Sequence, residues 1–203
     1  MALLSAVLDP GLFGAKIEDN GQPVLLPAPE EALVEKSAPK RRREFALGRA
    51  CARSALEKLG HGGAVIGRAA NGAPLWPQGI IGSITHTRDY AAAVVGEARR
   101  FSGIGVDAER VGGVTQDLWP RLFDDAERAH LMGLDETDQP VIATLIFSTK
   151  EACYKAWGGT GALAFRDIRV TPGSDRFTAV RAREILQGRY AVEGDLMLTA
   201  VWF

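Results

Sequence analysis

Two segments of the chain have apolar positions that recur with the period of a helix. In the first, from about Pro39 to Leu59, the positions that repeat every three or four residues are Phe45, Gly48, Ala52, Leu56 and Leu59. In the second, from about Val141 to Trp157, the apolar stripe consists of Ile142, Leu145, Ile146, Thr149, Cys153 and Ala156. Glycines follow both segments. The pattern predicts two long helices.

Other segments favour strands. Ile80 to His86, followed by Tyr90 to Val95, predicts a hairpin with His86 at its mouth. Ile104 to Glu109 alternates apolar with polar or small residues, which is typical of a strand with one buried face. Near the C-terminus three more strands are predicted: Phe177 to Ala182, Arg189 to Val192, and Leu196 to Phe203.

The order of these elements indicates the fold class. An acidic, weakly helical region from about Trp119 to Leu134 lies between the strand that begins at Ile104 and the second long helix. Because helices and strands are mixed without strict β-α-β alternation, we predict an α+β fold. The glycines around Gly103 indicate a seam between two halves, 1–103 and 104–203.

Composition limits the functional classes. The chain has 203 residues, 46% of them hydrophobic, and a formal net charge of −1, which indicates a globular protein and argues against a dedicated nucleic-acid binder. The apolar start lacks a basic segment and is interrupted at Asp9, so we expect no signal peptide, and no run is long enough for a membrane span. Cys51 and Cys153 have no metal-ligand spacing and indicate reduced thiols, hence a cytoplasmic location.

Charge is concentrated in two places. From Lys36 to Arg53 seven basic residues accompany one acid, whereas from Asp117 to Asp138 seven acids accompany two arginines. Helical spacing places Arg42, Arg49 and Arg53 opposite the apolar stripe of the first helix. These side chains form either an ordinary solvated face or a stripe that binds phosphate.

Three acids are the strongest candidates for chemistry. Asp107 and Glu109 lie two residues apart on a predicted strand, so their side chains project from one face. Glu151 shares a face of the second helix with Thr144, Phe147, Ser148 and Lys155. If the three carboxylates meet, each pair at 4 Å repels by about 4 kcal/mol at an effective dielectric of 20, so a divalent cation is needed. Otherwise they form a polar sheet face and a surface ion pair.

Other chemistries fit poorly. Gly103-Ile104-Gly105 begins like a dinucleotide fingerprint but continues inside a strand, with no helix N-terminus for a pyrophosphate. The glycines after Trp157 are not followed by the Lys-Ser/Thr pair of a P-loop. Ser83 is not in a nucleophile elbow, so a hydrolase triad is unsupported.

Two separated motifs resemble those of a known family. Gly105-Val106-Asp107-Ala108-Glu109, followed some forty residues later by Phe147-Ser148-Thr149-Lys150-Glu151 and Lys155, is similar to the two-part signature of the 4'-phosphopantetheinyl transferases. The segments Arg41 to Arg53, Pro74 to Pro77 and Gly82 to His86 resemble the enterobactin-synthetase-associated branch of that family. The resemblance spans roughly Arg41 to Trp157.

This resemblance implies a monomer of two pseudo-symmetric α/β halves, with coenzyme A and Mg²⁺ bound in the cleft between them. Such enzymes transfer the phosphopantetheine arm to a serine of an acyl, peptidyl or aryl carrier protein and release adenosine 3',5'-bisphosphate. By motif, the Mg²⁺ ligands are Asp107, Glu109 and Glu151, the catalytic residues are Glu151, Lys155 and Asp107, and the coenzyme phosphates contact Arg41, Arg49, His86, Lys150 and Lys155. The base is either Glu151 or a metal-bound water. The basic stripe suits an acidic carrier.

One departure and two alternatives remain open. Many family members have a lysine near the turn before the hairpin, where this chain has Asn71-Gly72-Ala73-Pro74. Recognition of the coenzyme's 3'-phosphate then depends more on the arginines and His86. Another Mg²⁺-dependent enzyme, such as a nuclease or phosphohydrolase, and a non-catalytic module that binds an acidic protein are the alternatives.

Overall fold

Helices and strands follow one another irregularly along residues 3–159 and 165–203, the part of the chain described by this computed structural model. The helices of these residues are α1 (Leu3–Val7), α2 (Ala28–Ala32), α3 (Pro39–Glu57), α4 (Trp119–Leu122), α5 (Asp125–Met132) and α6 (Gln139–Ala156). The strands are β1 (Phe13–Glu18), β2 (Gly67–Arg68), β3 (Pro74–Leu75), β4 (Ile80–Thr87), β5 (Tyr90–Glu97), β6 (Ile104–Arg110), β7 (Arg169–Pro172), β8 (Arg176–Arg181), β9 (Glu184–Glu193) and β10 (Leu196–Trp202). The fold is therefore α+β, as predicted.

The strands form two main antiparallel sheets and a short two-stranded ribbon. The first sheet has the order β1-β5-β4 and the second has the order β6-β10-β9-β8-β7; β2 and β3 pair separately. In the second sheet Asp107 of β6 lies opposite Thr199 of β10. β4 and β6 are thus edge strands of different sheets.

These two edges face each other and are joined by side chains. Ser83 Oγ accepts a hydrogen bond from the Val106 backbone N–H at 3.1 Å, and Thr85 Oγ1 accepts one from the Ala108 N–H at 3.0 Å. The hydroxyls of β4 therefore satisfy backbone donors that would otherwise be unpaired at the edge of the second sheet.

Helix α6 covers the face of β6 that carries the acids. Gly103 and Gly105 allow this close approach: a Cβ at Gly105 would lie 1.8 Å from the Ala152 carbonyl oxygen, and one at Gly103 would lie 2.6 Å from that of Ala156. The Gly-Ile-Gly sequence is therefore explained by helix packing. On the opposite face of β6, Ile104, Val106 and Ala108 join the apolar core that also contains Leu3 and Leu4 of α1.

The two long helices are close to their predicted bounds, and their ends have simple causes, whereas β9 begins at Glu184, five residues before the predicted Arg189. Proline occupies the first turn of both α3 and α6, and Gly158 and Gly159 adopt positive φ directly after α6. The acidic region from Trp119 to Leu134 is interrupted, because Asp124 starts a new helix with a capping box to Glu127. The strands β1, β2, β3 and β7 were not predicted.

Both sides of α6 are buried, contrary to the expectation of one polar face. Thr144 and Ser148 are fully buried, as is the apolar stripe at Leu145 and Ile146.

In the part of the chain that the structure describes, no helix combines the length and apolar character that a membrane span requires.

Candidate active site

Asp107 lies at the centre of a buried polar cluster between β6, β4 and α6. Its side chain is only 3% exposed. Its Oδ1 accepts hydrogen bonds from Lys155 Nζ at 2.6 Å and from Thr85 Oγ1 at 3.2 Å, and its Oδ2 accepts one from Ser148 Oγ at 2.8 Å. Both oxygens are thus held by donors from two other elements, which fixes the orientation of the carboxylate.

The hydroxyl groups around Asp107 are functional candidates that the sequence analysis did not identify. Thr85 contacts Asp107, the Ala108 N–H and, at 3.5 Å, Lys155 Nζ. Ser148 Oγ also lies 2.9 Å from Thr199 Oγ1. All three hydroxyls are buried. The alternation of Ser83 and Thr85 on β4 is the sequence signal that could have revealed this arrangement, because it places both hydroxyls on one face.

Glu109 and Glu151 lie near Asp107 and respond electrostatically to it. Burial raises the pKa of Glu109 to about 7, with the negative charges of Asp107 and Glu151 adding to this effect and Lys155 opposing it. Burial also raises the pKa of Glu151; Lys155 opposes this rise and Asp107 adds to it. The site therefore lacks positive charge for three carboxylates, since Lys155 is bonded to only one of them.

This donor set suits a hard divalent cation. Carboxylate oxygens are ligands that Mg²⁺ takes in proteins, and a carboxyl with a raised pKa is one whose charge is under-compensated. As the side chains stand, no group of three acidic, histidine or cysteine side chains within residues 3–159 and 165–203 is close enough to hold a metal ion. The chemistry of the donors fits the cation, and their side chains would have to converge on it.

Basic groups lie beside the acids. Besides Asp107, Lys155 Nζ donates to the Val106 carbonyl oxygen at 3.2 Å. Arg41 Nη1 lies 3.1 Å from His86 Nε2, which accepts this hydrogen bond when the ring is neutral. Burial lowers the pKa of His86, which favours the neutral ring; Glu44 opposes this, and Arg41 and Lys155 add to it. Alternation on β4 explains why His86 points towards α3 while Thr85 points towards β6.

A cavity of about 640 Å³ opens next to Lys155 between the two sheets. One wall contains Asn71, Trp76 and Gly82, and the other contains Tyr154 and Gly103. Asn71 Nδ2 also donates to the Gly158 carbonyl oxygen at 3.2 Å, so the loop before β3 contacts the end of α6. The volume is in the range of small-molecule sites, about 300–1,000 Å³.

Lys150 lies elsewhere, and this corrects the expectation that it contacts phosphates. Its side chain is fully buried, and its ammonium donates to Glu127 Oε2 at 2.5 Å and to the Leu122 carbonyl oxygen at 2.9 Å. Burial lowers the pKa of Lys150, with Glu127 opposing this effect. Lys150 therefore connects α6 to α5 and has no exposed group for an anion.

Arg49 and the predicted basic stripe also need correction. Arg49 is 4% exposed, and it donates to the carbonyl oxygens of Ile66 and Gly67. The neighbouring arginines are paired with acids that precede the helix: Arg42 with Glu31, Arg43 with Asp19, and Arg53 with Glu30. The charges of these arginines are thus balanced by acids of the same chain. Arg41 lies 3.6 Å from Glu44 and contacts His86, a ring that responds to the charges of Asp107 and Lys155.

Two protein-family models match the sequence. The family described as "4'-phosphopantetheinyl transferase N-terminal domain" matches residues 29–96, and the family described as "4'-phosphopantetheinyl transferase superfamily" matches residues 103–199. The second match contains Asp107, Glu109, Glu151 and Lys155, and the first contains Thr85 and His86.

Individual curated proteins are also similar to the chain. The chain is 36% identical to the 4'-phosphopantetheinyl transferase Npt of Nocardia iowensis, over 83% of this chain and 76% of the relative. It is 35% identical to the 4'-phosphopantetheinyl transferase PptT of Mycobacterium tuberculosis, over 88% and 87% of the two chains. It is 33% identical to enterobactin synthase component D of Salmonella typhi, over 88% and 74%. The chain belongs to the 4'-phosphopantetheinyl transferase superfamily and is an enzyme of that class.

Proposed function

We propose that this protein transfers the 4'-phosphopantetheine group of coenzyme A to a serine of an apo acyl, peptidyl or aryl carrier protein, with Mg²⁺ as cofactor. The observation that carries the proposal is the position of Lys155. Its side chain lines the cavity, and its ammonium is 2.6 Å from Asp107 Oδ1. A single basic group therefore connects the acids to a space that can hold a diphosphate.

The acids have two roles in this proposal. Asp107, Glu109 and Glu151 are the residues that would hold Mg²⁺, which when bound supplies positive charge next to the coenzyme's diphosphate. Glu151 is also the candidate base. Its raised pKa makes its carboxylate a better proton acceptor than an ordinary glutamate, so it can take the proton of the carrier serine as the serine oxygen bonds to phosphorus.

The basic residues orient the transferred group. Phosphoryl-type transfer needs mainly positioning and neutralisation of developing charge. In this proposal Lys155 provides an ammonium where the bond to adenosine 3',5'-bisphosphate breaks. Arg41, which contacts His86 on the α3 side of β4, provides further donors for the coenzyme phosphates. Coenzyme A would occupy the cavity. Asn71 lines this cavity and belongs to the turn near which many family members have a lysine.

The test is an intact-mass assay of several apo-carriers with coenzyme A and Mg²⁺. The reaction should add about 340 Da to a carrier, the mass of the arm expected for this modification. Asp107→Asn should reduce the transfer rate by about 100-fold or more, because it removes one charge from the cluster. Asp117→Asn makes the same change at an exposed position and should leave the rate unchanged.

Two results would contradict the proposal. An unmodified carrier together with Mg²⁺-dependent cleavage of nucleic acid or phosphate esters would favour a different phosphoryl-chemistry enzyme. Equal rates for Asp107→Asn and Asp117→Asn would remove Asp107 from the mechanism and contradict a site centred on it. We further propose that the enzyme is a monomer and that its two halves, 1–103 and 104–203, bind the substrates between them. We also propose a cytoplasmic location, which the two free, buried cysteines support.

A further inference from the structure

A second cavity lies on the C-terminal sheet, outside the acid cluster. Its volume is about 420 Å³. Its lining includes two arginines, Arg176 of β8 and Arg189 of β9, together with Trp202 and Phe203. None of these side chains is one of the catalytic or metal-binding residues proposed above.

The two arginines are directly opposite each other on neighbouring antiparallel strands. Side chains at such positions share a face and have Cβ atoms about 4.5–5.5 Å apart, so two like charges there repel. Neither guanidinium has a salt-bridge partner among the described residues, 3–159 and 165–203, and the carboxylate of Asp9 shares the cavity with them without forming an ion pair.

Arg189 is held in place but not fully bonded. Its Nη1 donates to the Leu8 carbonyl oxygen at 3.1 Å, and its guanidinium lies 5.7 Å from the centre of the Trp202 ring. Its Nε is buried and has no hydrogen-bond partner among the described residues. An unsatisfied buried donor is costly, so it indicates a place where a bound acceptor would be favourable.

Apolar surface adjoins these charges. Ile185 is 66% exposed and Phe203 is 41% exposed, and both line the cavity. Exposed apolar side chains next to unpaired guanidinium groups match a ligand with an anionic head and an apolar body.

We infer that this cavity binds a small organic oxyanion, a carboxylate or phosphate monoester carried on an apolar group. The oxyanion lies between Arg176 and Arg189, where it relieves their repulsion and accepts from the guanidinium N–H groups. The apolar body lies on Trp202, Phe203 and Ile185. Because Phe203 lines both cavities, the ligand is adjacent to the wall of the proposed coenzyme site.

Isothermal titration of the full chain at low salt tests the inference with four probes: phenyl phosphate, benzoate, inorganic phosphate and benzyl alcohol. At least one aromatic oxyanion should bind at a single site, and more tightly than inorganic phosphate or benzyl alcohol. Binding of phenyl phosphate would indicate a phosphate ligand, and binding of benzoate would indicate a carboxylate ligand. The indole NMR signal of Trp202 should shift with the same saturation curve.

Arg176 is the residue to change, because it is exposed, whereas replacing Arg189 removes its bond to Leu8 and threatens folding. Arg176→Gln should weaken binding about tenfold, as expected for a lost charge-assisted hydrogen bond. Arg183→Gln removes the same charge from the β8–β9 turn, outside the cavity, and should change binding less than about twofold.

Several outcomes would overturn the inference. They are no binding of either aromatic oxyanion, equal binding of benzyl alcohol, and equal weakening by Arg176→Gln and Arg183→Gln. Binding that persists in Arg176→Gln without a shift of the Trp202 signal would place the probe in another site and would also reject it.

Discussion

The charge imbalance at the acid cluster makes protein stability depend on Glu109. The folded protein raises the pKa of Glu109 from 4.5 to about 7, so the folded state holds this proton more tightly than the unfolded state does. The stability associated with Glu109 is fully present below pH 4.5 and is lost as the pH rises to about 7. Glu109→Gln, which keeps the shape without the charge, should therefore be more stable than the wild type at pH 8.

The expected size follows from the same shift. A pKa change from 4.5 to about 7 corresponds to about 3 kcal/mol as an upper limit. Because Glu109 is partly exposed, solvent screening reduces this, and we expect Glu109→Gln to gain about 1–2 kcal/mol at pH 8. For a chain of this size that gain raises Tm by roughly 2–8 °C. At pH 5 the two proteins should differ little.

Urea unfolding at pH 5 and pH 8 measures this difference. Glu57→Gln, an exposed glutamate of α3, is the matched control and should show no pH-dependent gain. Added Mg²⁺ at pH 8 should stabilise the wild type more than Glu109→Gln, because it compensates the charge that the variant lacks. A Glu109→Gln protein that is no more stable at pH 8, or equally stabilised at both pH values, would refute the reasoning.

Three further substitutions test the packing and hydrogen bonds around the site. Lys150→Met should destabilise the protein by about 3–5 kcal/mol in urea unfolding, because Glu127 is left as an unpaired buried charge; a loss below 1 kcal/mol would contradict the structural role. Gly105→Ala should cost at least about 3 kcal/mol or prevent folding, because its Cβ meets the Ala152 carbonyl oxygen, whereas Gly62→Ala, whose Cβ would make only an ordinary contact with Glu57 Cγ at 3.9 Å, should be nearly neutral by the same measurement. Thr85→Val should cost about 1–3 kcal/mol and lower the transfer rate in the mass assay, since it leaves the Ala108 N–H unsatisfied and removes one of the three side-chain donors to Asp107; an unchanged rate would mean that Thr85 does not orient the carboxylate.

Periodicity predicted the long elements well, and it failed where the pattern is short or interrupted. α3 and α6 each repeat their apolar stripe over several turns, so their bounds were predicted within about two residues. β7 has four residues and ends in Pro172, which argues against a strand in a sequence. β1 contains Gly14 and Ala15, so its alternation is weak.

The side-chain environment was harder to predict than the elements. The acids that pair with the arginines of α3 lie between Asp19 and Glu31, a segment with no periodicity to position it. The position of Lys150 away from the acid cluster, however, could have been predicted from its spacing. Successive residues of an α-helix are rotated by about 100° around its axis, so Lys150 does not share a helix face with its neighbour Glu151. Lys155, at four residues from Glu151, remains on the acid's face. Contacts between segments that are far apart in the sequence can be predicted only when the fold is known.

The contact between the edge strands β4 and β6 has a consequence for fragments of the protein. Because Ser83 and Thr85 accept hydrogen bonds from backbone N–H groups of β6, each sheet covers the edge strand of the other and keeps it from pairing with another protein chain. A fragment ending near Gly103 would present β4 unshielded, and the complementary fragment would present β6. We expect either piece alone to self-associate through that strand, and the two pieces mixed together to recover a soluble complex.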